Sequence, residues 1–178
     1  MEVSKERLTS ANFEALAMPL FDQLYNFAQW LTKNREEAED LVQETYSKAL
    51  RGFGSFEPGT NFRAWMYRIL RNTFLTSRAG LKATVPIEDE DEPVASADQT
   101  PESVFIASAN RALVQSAIEE LPVKYREIIL LCEVEEMSYQ EIAQTLGVPI
   151  GTVMSRLSRA RAALKTVIRE KLGGVKRG

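Results

Sequence analysis

The spacing of hydrophobic residues predicts helices along most of this chain. From Ala11 to Gly80 they recur every three or four positions, the period of an amphipathic helix, and the strongest break is the stretch from Gly52 to Gly59. The same period returns from Arg111 onward and is interrupted at Pro122 and again at Gly147. We therefore predict an all-α protein with two helical domains.

An acidic segment separates the two helical regions. From Lys82 to Ser103 the chain carries seven acidic residues, one basic residue and three prolines, with few large apolar side chains. Such a segment buries too little apolar surface to offset the entropy that is lost on ordering. We predict an N-terminal helical bundle over residues 1–81, a flexible acidic linker over 82–103 and a C-terminal helix-turn-helix domain over 104–178.

The helix that follows Asn34 has one apolar face and one polar face. Asn34 and Glu37 have the spacing of a capping box, in which each side chain accepts from the other residue's backbone N–H group. The residues predicted to be buried are Ala38, Leu41, Val42, Thr45, Ala49 and Leu50. The residues of the opposite face are Glu39, Asp40, Gln43, Glu44, Ser47 and Lys48. This pattern alone does not distinguish a solvated face from one that binds a partner.

The helix that follows Pro58 combines cations with aromatic rings. Its predicted inward face consists of Phe62, Met66, Ile69, Leu70 and Thr73. Its opposite face carries Arg68, Arg71, Asn72, Leu75 and, at the edge, Arg78, with Trp65, Tyr67 and Phe74 on the flanks. Guanidinium groups bind phosphate and aromatic rings stack on unpaired bases, so this face suits single-stranded nucleic acid. A hydrophobic core with solvated cations around it is the alternative interpretation.

The C-terminal region has the pattern of a helix-turn-helix. Ser138 and Glu141 have capping-box spacing, and Gly147 can adopt the left-handed conformation that ends a helix. The next helix buries the stripe Val153, Leu157, Ala160, Leu164 and Ile168. Its outer face is centred on Thr152, Ser155 and Arg159, with Arg156 and Ser158 beside them. In this motif the second helix enters the DNA major groove, where these side chains can contact bases or phosphates. A helical hairpin that binds protein is the alternative.

The composition excludes several kinds of chemistry. Without histidine and with one cysteine, the chain can build neither a Ser-His-Asp triad nor a structural zinc site. Cys132 lies in an apolar neighbourhood, so we predict a small buried hydrophobe rather than a redox switch. An enzyme that binds a divalent metal through the acidic run from Glu88 to Glu92 is a further hypothesis. We reject it, because a metal site needs ligands in a fixed geometry and a flexible segment does not provide one. We predict no catalytic residue, metal or cofactor.

The chain also lacks the signals of a membrane or secreted protein. No run of about 18 apolar residues is present. The first residues match no secretory signal. We therefore predict a cytoplasmic protein without membrane insertion.

Five segments of the chain resemble, in the same order, the extracytoplasmic-function (ECF) sigma factors of bacteria. They are residues 37–46, 62–72, 121–127, 138–143 and 151–157, the last of which is followed by Arg159 and Arg161. The resemblance implies a non-enzymatic subunit that joins core RNA polymerase and directs it to promoters. It also implies that the acidic linker threads toward the path of the RNA.

The resemblance assigns roles to particular residues. Asp40, Gln43, Glu44 and Tyr46 would dock on the clamp coiled coil of the largest polymerase subunit. The single-stranded −10 element would be melted and held by Arg63, Trp65, Arg68, Arg71, Asn72, Thr76 and Arg78. The duplex −35 element would be read by Thr152, Ser155, Arg156, Ser158 and Arg159. Met154 occupies a position where many relatives carry Arg or Lys, so the −35 sequence of those relatives does not transfer to this chain.

Two hypotheses about regulation and class follow. The first is a sigma factor held inactive by an anti-sigma factor that covers its polymerase-facing surfaces. The second is a transcriptional activator, in which the C-terminal domain binds duplex DNA and the N-terminal bundle is a protein-interaction module. Tight, sequence-specific binding to promoter duplex without core polymerase would favour the activator.

Overall fold

A computed structural model describes residues 10–79 and 111–175 of the chain. The chain divides into two compact units, and the main division between them falls between residues 87 and 88, outside these ranges. Every regular element within the described ranges is a helix, which confirms the all-α prediction. The predicted linker, including the acidic run from Glu88 to Glu92, lies outside the described residues, so the proposed domain boundaries stay predictions.

Four α-helices and two short 3₁₀ turns form the N-terminal unit. In chain order they are α1 (Ser10–Ala17), a 3₁₀ turn (Met18–Leu20), α2 (Phe21–Thr32), α3 (Arg35–Gly52), a second 3₁₀ turn (Phe53–Ser55) and α4 (Phe62–Ala79). Helix α3 packs against both α2 and α4. The core between them contains the fully buried side chains of Leu24, Phe27, Met66, Tyr67 and Leu70.

The connection from α2 to α3 is stabilised by local hydrogen bonds. Lys33 has a left-handed backbone (φ 57°) that ends α2, and Asn34 Oδ1 accepts from the backbone N–H of Glu37 at 3.0 Å. The backbone N–H of Asn34 donates to Thr32 Oγ1 at 3.3 Å, while the Glu37 carboxylate forms an ion pair with Arg78 at 3.6 Å. Asn34 therefore caps α3 as predicted, but the reciprocal half of the capping box is replaced by Thr32.

Three residues of the N-terminal unit lie elsewhere than the spacing predicted, and one of them is Phe74, which was predicted on a flank of α4 but is only 2% exposed. Leu50, predicted to be buried, is 48% exposed, because it lies about 100° around α3 from the buried Ala49. Tyr67, predicted on a flank, is fully buried against Phe27, with ring centroids 5.2 Å apart. Packing against α2 extends the buried surface of α4 beyond its most apolar stripe.

Helix α4 begins beside a cluster of aromatic rings. Phe53, Phe56 and Phe62 surround Trp65, with ring centroids 6.4, 5.2 and 5.6 Å from the indole. Asn61 caps the helix by accepting from the backbone N–H of Ala64 at 2.9 Å. The cluster and the cap together hold the start of α4 and the indole in place.

Four α-helices and a π-helical turn form the C-terminal unit. They are α5 (Arg111–Glu120), α6 (Val123–Ile129), the π-helical turn (Leu130–Val134), α7 (Tyr139–Leu146) and α8 (Ile150–Val175). Helix α8 packs against α5 and α6. The guanidinium of Arg126 is buried and donates to the carbonyl oxygens of Glu119 and Leu121 at 3.1 and 3.3 Å. These two bonds satisfy carbonyl groups at the end of α5 that no helical N–H can reach.

Helix α7 has the cap predicted at each of its ends. Glu141 N–H donates to Ser138 Oγ at 3.1 Å, and Ser138 N–H donates to Glu141 Oε1 at 3.4 Å, which completes a capping box. Gly147 ends α7 in the left-handed region at φ 68°, and Val148 N–H donates to Ala143 O at 3.1 Å. Glycine suits this position because it lacks the Cβ atom that makes the left-handed region costly.

Candidate nucleic-acid and protein interfaces

The polar face of α3 is exposed along its length. Asp40, Gln43 and Glu44 are exposed, and Glu44 makes long contacts with Lys48 Nζ at 4.0 Å and Arg51 Nη2 at 3.8 Å. Exposed ion pairs of this kind contribute little to stability, so a partner can replace them at small cost. Asp40, Gln43 and Glu44 therefore form one accessible acidic surface.

Tyr46 has a different environment from the other three residues of this predicted docking set. Its hydroxyl donates to the carbonyl oxygen of Ala17 at 2.6 Å, and its ring lies 5.8 Å from that of Phe21. Partial burial and, to a smaller extent, the charge of Asp22 raise the pKa of Tyr46 to about 12. Tyr46 thus links the end of α1 to α3. Its hydroxyl is engaged inside the unit, beside the acidic surface, and is not an exposed donor.

Replacing Tyr46 with phenylalanine is expected to lower the free energy of unfolding by about 1 kcal/mol at pH 8, the contribution of a typical internal hydrogen bond. The pKa of Tyr46 in the folded state lies above the unfolded value of 10.0, so the folded state favours the neutral phenol. The stabilisation that Tyr46 contributes is therefore complete below pH 10 and is lost as the pH rises toward 12. Urea denaturation of both proteins at pH 8 and pH 11 measures this. A stability difference that is unchanged or larger at pH 11 would contradict it.

Exposed hydrophobic side chains border the acidic surface, although the hydrophobic spacing did not predict them there. Phe21 and Leu50 are large and exposed, as are Leu16 and Met18 on the preceding segment. Leu50 lies one turn beyond Tyr46 on α3, and the Phe21 ring contacts the Tyr46 ring. Around the axis of α3, Leu50 lies on the same side as Gln43 and away from Ala49. This angular position can be read from the sequence, and it was the signal that could have identified Leu50 as part of the surface.

A cleft of about 330 Å³ opens between α3 and α4. The residues that line it are Lys48, Gly52, Ser55, Trp65, Ile69, Asn72, Thr73 and Thr76. Trp65 forms a rigid apolar wall, and Lys48 Nζ lies 3.4 Å from Thr73 Oγ1. The cleft therefore offers an aromatic surface together with hydroxyl, amide and ammonium groups.

The structure separates the seven residues predicted to hold the −10 element. Trp65, Asn72 and Thr76 line the cleft, and Arg68 is exposed one turn before Asn72. The other three, Arg63, Arg71 and Arg78, do not line it.

Two of those arginines lie over aromatic rings instead. Arg78 lies 5.1 Å from the centroid of the Phe74 ring and pairs with Glu37, whereas Arg63 lies 5.8 Å from that of Tyr67. Lys48, assigned from the sequence to the polar face of α3, is a cleft residue that spacing did not reveal. Its ammonium reaches toward α4 only because α3 and α4 pack together.

Helix α8 presents a mixed polar surface in its first three turns. Thr152, Ser155, Ser158 and Arg159 are each partly exposed, as the helix-turn-helix prediction requires. Arg156 differs, because it is only 4% exposed and lies three residues after buried Val153 and four before buried Ala160. Its position on the helix belongs to the inward stripe, which explains the burial of its side chain. The predicted contact of Arg156 with DNA stays a prediction.

Two basic residues farther along α8 bind other parts of the same unit. Arg161 Nη2 donates to Glu133 Oε1 at 2.9 Å and lies 3.7 Å from Cys132 Sγ. Lys171 forms an ion pair with Glu120 of α5. These contacts fix α8 to the helices that support it.

Cys132 is half-buried in the π-helical turn rather than fully buried. Burial raises the pKa of its thiol, and nearby Glu133 adds to this, while Arg161 acts in the opposite direction. A thiol with a raised pKa carries little thiolate near neutral pH and reacts slowly.

Alkylation of Cys132 by iodoacetamide at pH 7.5 is expected to be severalfold slower in the native protein than in protein unfolded by urea. The cause is the raised pKa together with limited access to the sulfur atom. Mass spectrometry of samples quenched over time measures both rates. Equal rates in the two states would show that Cys132 is as reactive as a free thiol.

Two further findings concern the described residues only. Residues 10–79 and 111–175 contain no group of three or more Cys, Asp or Glu side chains arranged to hold a metal ion. Within the same ranges no helix is both long enough and apolar enough to cross a bilayer.

The sequences of both units match known families. Residues 16–83 match Sigma-70 region 2, and residues 111–164 match Sigma-70 region 4. The matched ranges contain the cleft, the acidic surface of α3 and most of the helix-turn-helix. The class of protein that these features define is a sigma-70-type transcription initiation factor.

Comparison with individual proteins identifies the subfamily. The chain is 36% identical to the ECF RNA polymerase sigma factor SigE of Mycolicibacterium smegmatis over 179 residues, which covers 93% of this chain and 69% of SigE. It is 34% identical to the ECF RNA polymerase sigma factor EcfG of Rhodopseudomonas palustris, covering 85% of this chain and 88% of EcfG. The chain belongs to the ECF family of RNA polymerase sigma factors, as its motifs indicated.

Solved structures agree with this assignment. The sigma factor RpoE of Bartonella quintana, in complex with the anti-sigma factor NepR, superimposes with a TM-score of 0.65 at 32% identity, covering 89% of this chain and 97% of RpoE. CnrH, in complex with the cytosolic domain of CnrY, shares the fold with the same TM-score at 24% identity.

Proposed function

We propose that this protein joins core RNA polymerase in the cytoplasm and directs it to promoters, with no catalytic activity of its own. The N-terminal unit holds the opened −10 element, and the C-terminal unit reads the −35 element as duplex. The observation that carries the proposal is the cleft between α3 and α4, with its aromatic wall and polar lining.

The cleft suits a base that has left the DNA stack. A volume of about 330 Å³ is sufficient for a small aromatic ligand. Extruding a base costs a few kcal/mol, which stacking and hydrogen bonds within a pocket must offset. Trp65 supplies an aromatic surface, Asn72 and Thr76 supply hydrogen-bonding groups, and Arg68 supplies a cation for the adjacent phosphate.

The acidic surface of α3 suits a protein partner. Asp40, Gln43 and Glu44 are exposed, and the apolar side chains of Phe21 and Leu50 border them. A surface that combines exposed hydrophobic residues with adjacent polar ones is typical of a protein–protein interface. We assign this combined surface to the clamp coiled coil of the polymerase, with Tyr46 positioning its edge.

The first turns of α8 suit duplex DNA. Thr152, Ser155, Ser158 and Arg159 lie on the accessible side of the second helix of a helix-turn-helix, whose N-terminal residues contact base edges in the major groove. Arg159 is the residue of this group that can bind guanine through two hydrogen bonds. Arg156 would act through the position of α8, since its side chain is buried.

Regulation by an anti-sigma factor completes the proposal. RpoE of Bartonella quintana, at 32% identity, was solved in complex with the anti-sigma factor NepR. A regulator of this kind would prevent initiation by covering the surface around Asp40 and Leu50, which is the surface that we assign to the polymerase.

Run-off transcription with purified core polymerase tests the function. We expect specific start sites from genomic promoter fragments only when this protein is added, and Asp40→Arg should abolish assembly with the core. Glu170→Arg, a charge reversal at another exposed acidic residue, on α8, is the matched control and should leave assembly intact. Failure to start at any promoter, together with tight duplex binding by the protein alone, would instead establish an activator.

A further inference from the structure

Two large hydrophobic side chains are exposed at the start of α8. Ile150 is 50% exposed and Met154 is 51% exposed. They lie four positions apart, so they are neighbours on one side of the helix. Single exposed hydrophobic residues are common on protein surfaces, but Met154 lies one turn before the partly exposed Ser158, a polar residue on the part of the helix that enters the groove. Both therefore belong to the proposed DNA-reading surface.

The chemistry of the major groove restricts what such side chains can contact. Base edges there present hydrogen-bond donors and acceptors, and the C5-methyl group of thymine is the apolar exception. A thioether side chain has no donor, and pressing it against unpaired polar groups would cost free energy. Met154 is also flexible enough to follow the position of a methyl group. An apolar contact with thymine is therefore the favourable arrangement.

We propose that Met154 is a specificity-determining residue that reads the C5-methyl group of a thymine in the −35 duplex. Ile150, one turn earlier, continues the same apolar strip. The inference rests on the proposed function, because it requires α8 to enter the groove of the −35 element. It goes beyond that function by stating which chemical group one position of the promoter must carry.

Deoxyuridine substitution tests the contact directly, since deoxyuridine differs from thymidine only in lacking this methyl group. The holoenzyme would first select its −35 sequence from a library randomised at that element. Each thymine of the selected duplex would then be replaced singly, on either strand, and binding measured by competition. We expect one position at which the replacement weakens binding about fourfold, the effect of exposing one buried methyl group.

Variants connect that position to Met154. Met154→Ala should bind the thymine and deoxyuridine duplexes equally, so that the two changes are not additive, as expected for groups in contact. Leu172→Ala, which removes an equally exposed side chain near the other end of α8, is the matched control and should retain the fourfold preference. Because Met154 is exposed, the alanine variant is expected to keep the melting temperature of the parent.

Several results would overturn the inference. The inference would be wrong if the selected −35 element contained no thymine on either strand. It would also be wrong if deoxyuridine weakened binding at no position. Both results are obtained with the parent protein and need no variant. Retention of the preference by Met154→Ala would also overturn the inference. In each case a holoenzyme that still selects promoters leaves the proposed function intact, whereas a holoenzyme that starts nowhere removes both.

Discussion

Replacing Asn72 with aspartate is expected to reduce promoter opening at least about tenfold while attachment to core polymerase is unchanged. The two side chains have nearly the same shape, so the cleft between α3 and α4 keeps its form. The change removes an N–H donor and places a negative charge where the unpaired strand and its phosphates would lie. The loss of a hydrogen bond to a charged or buried group costs about 1.5–3 kcal/mol, which corresponds to a factor of ten or more.

Permanganate reactivity of unpaired thymines in the −10 region measures opening, and native gels measure attachment. Asn26→Asp makes the same change at an exposed position of α2 and should leave both unchanged. A template that is already unpaired over the −10 region provides a second comparison, on which Asn72→Asp should still bind weakly. Normal opening by this variant would show that the cleft does not hold the unpaired strand.

Replacing Arg159 with alanine is expected to weaken holoenzyme binding to the selected −35 duplex about ten- to hundredfold. A bidentate contact between arginine and guanine contributes about 1–3 kcal/mol of discrimination. The variant should therefore also become tolerant of substitutions at one base pair of the element. Competition binding with single-position duplex variants measures both effects.

Arg169 provides the matched control on the same helix, since it is exposed but lies ten residues beyond Arg159. Arg169→Ala should lower binding to all duplexes alike, if at all, and should reduce the dependence on salt rather than the sequence preference. Loss of affinity without loss of preference in Arg159→Ala would assign that arginine to the phosphate backbone.

Local signals in the sequence were sufficient for the helices and their ends. Asn34, the Ser138–Glu141 pair and Gly147 lie at the helix ends that they predicted, because capping depends on residues only a few positions apart. Most residues of the stripes that include Leu41 and Leu157 are buried for the same reason, since residues three or four positions apart share one side of a helix.

Features that depend on packing between helices were not predictable in this way. The cleft exists only because α3 and α4 lie side by side, so spacing along one helix could not assign Lys48 to it. Arg156 was expected on the outer face, yet its side chain is buried, because arginine was counted as polar although its position falls in the inward stripe. Leu50 shows the converse error, an apolar residue that the packing leaves exposed.

The division of α8 into two sides has a consequence for the evolution of promoter choice. The residues that hold the helix in place, such as Val153 and Leu157, are buried, whereas Met154 and Ser155 project outward and carry little of the folding energy. If these outward residues read the −35 element, as we propose, mutations there would retarget the protein to new genes without destabilising it. Duplicated copies within one genome can diverge by this route and avoid cross-talk between their sets of target genes.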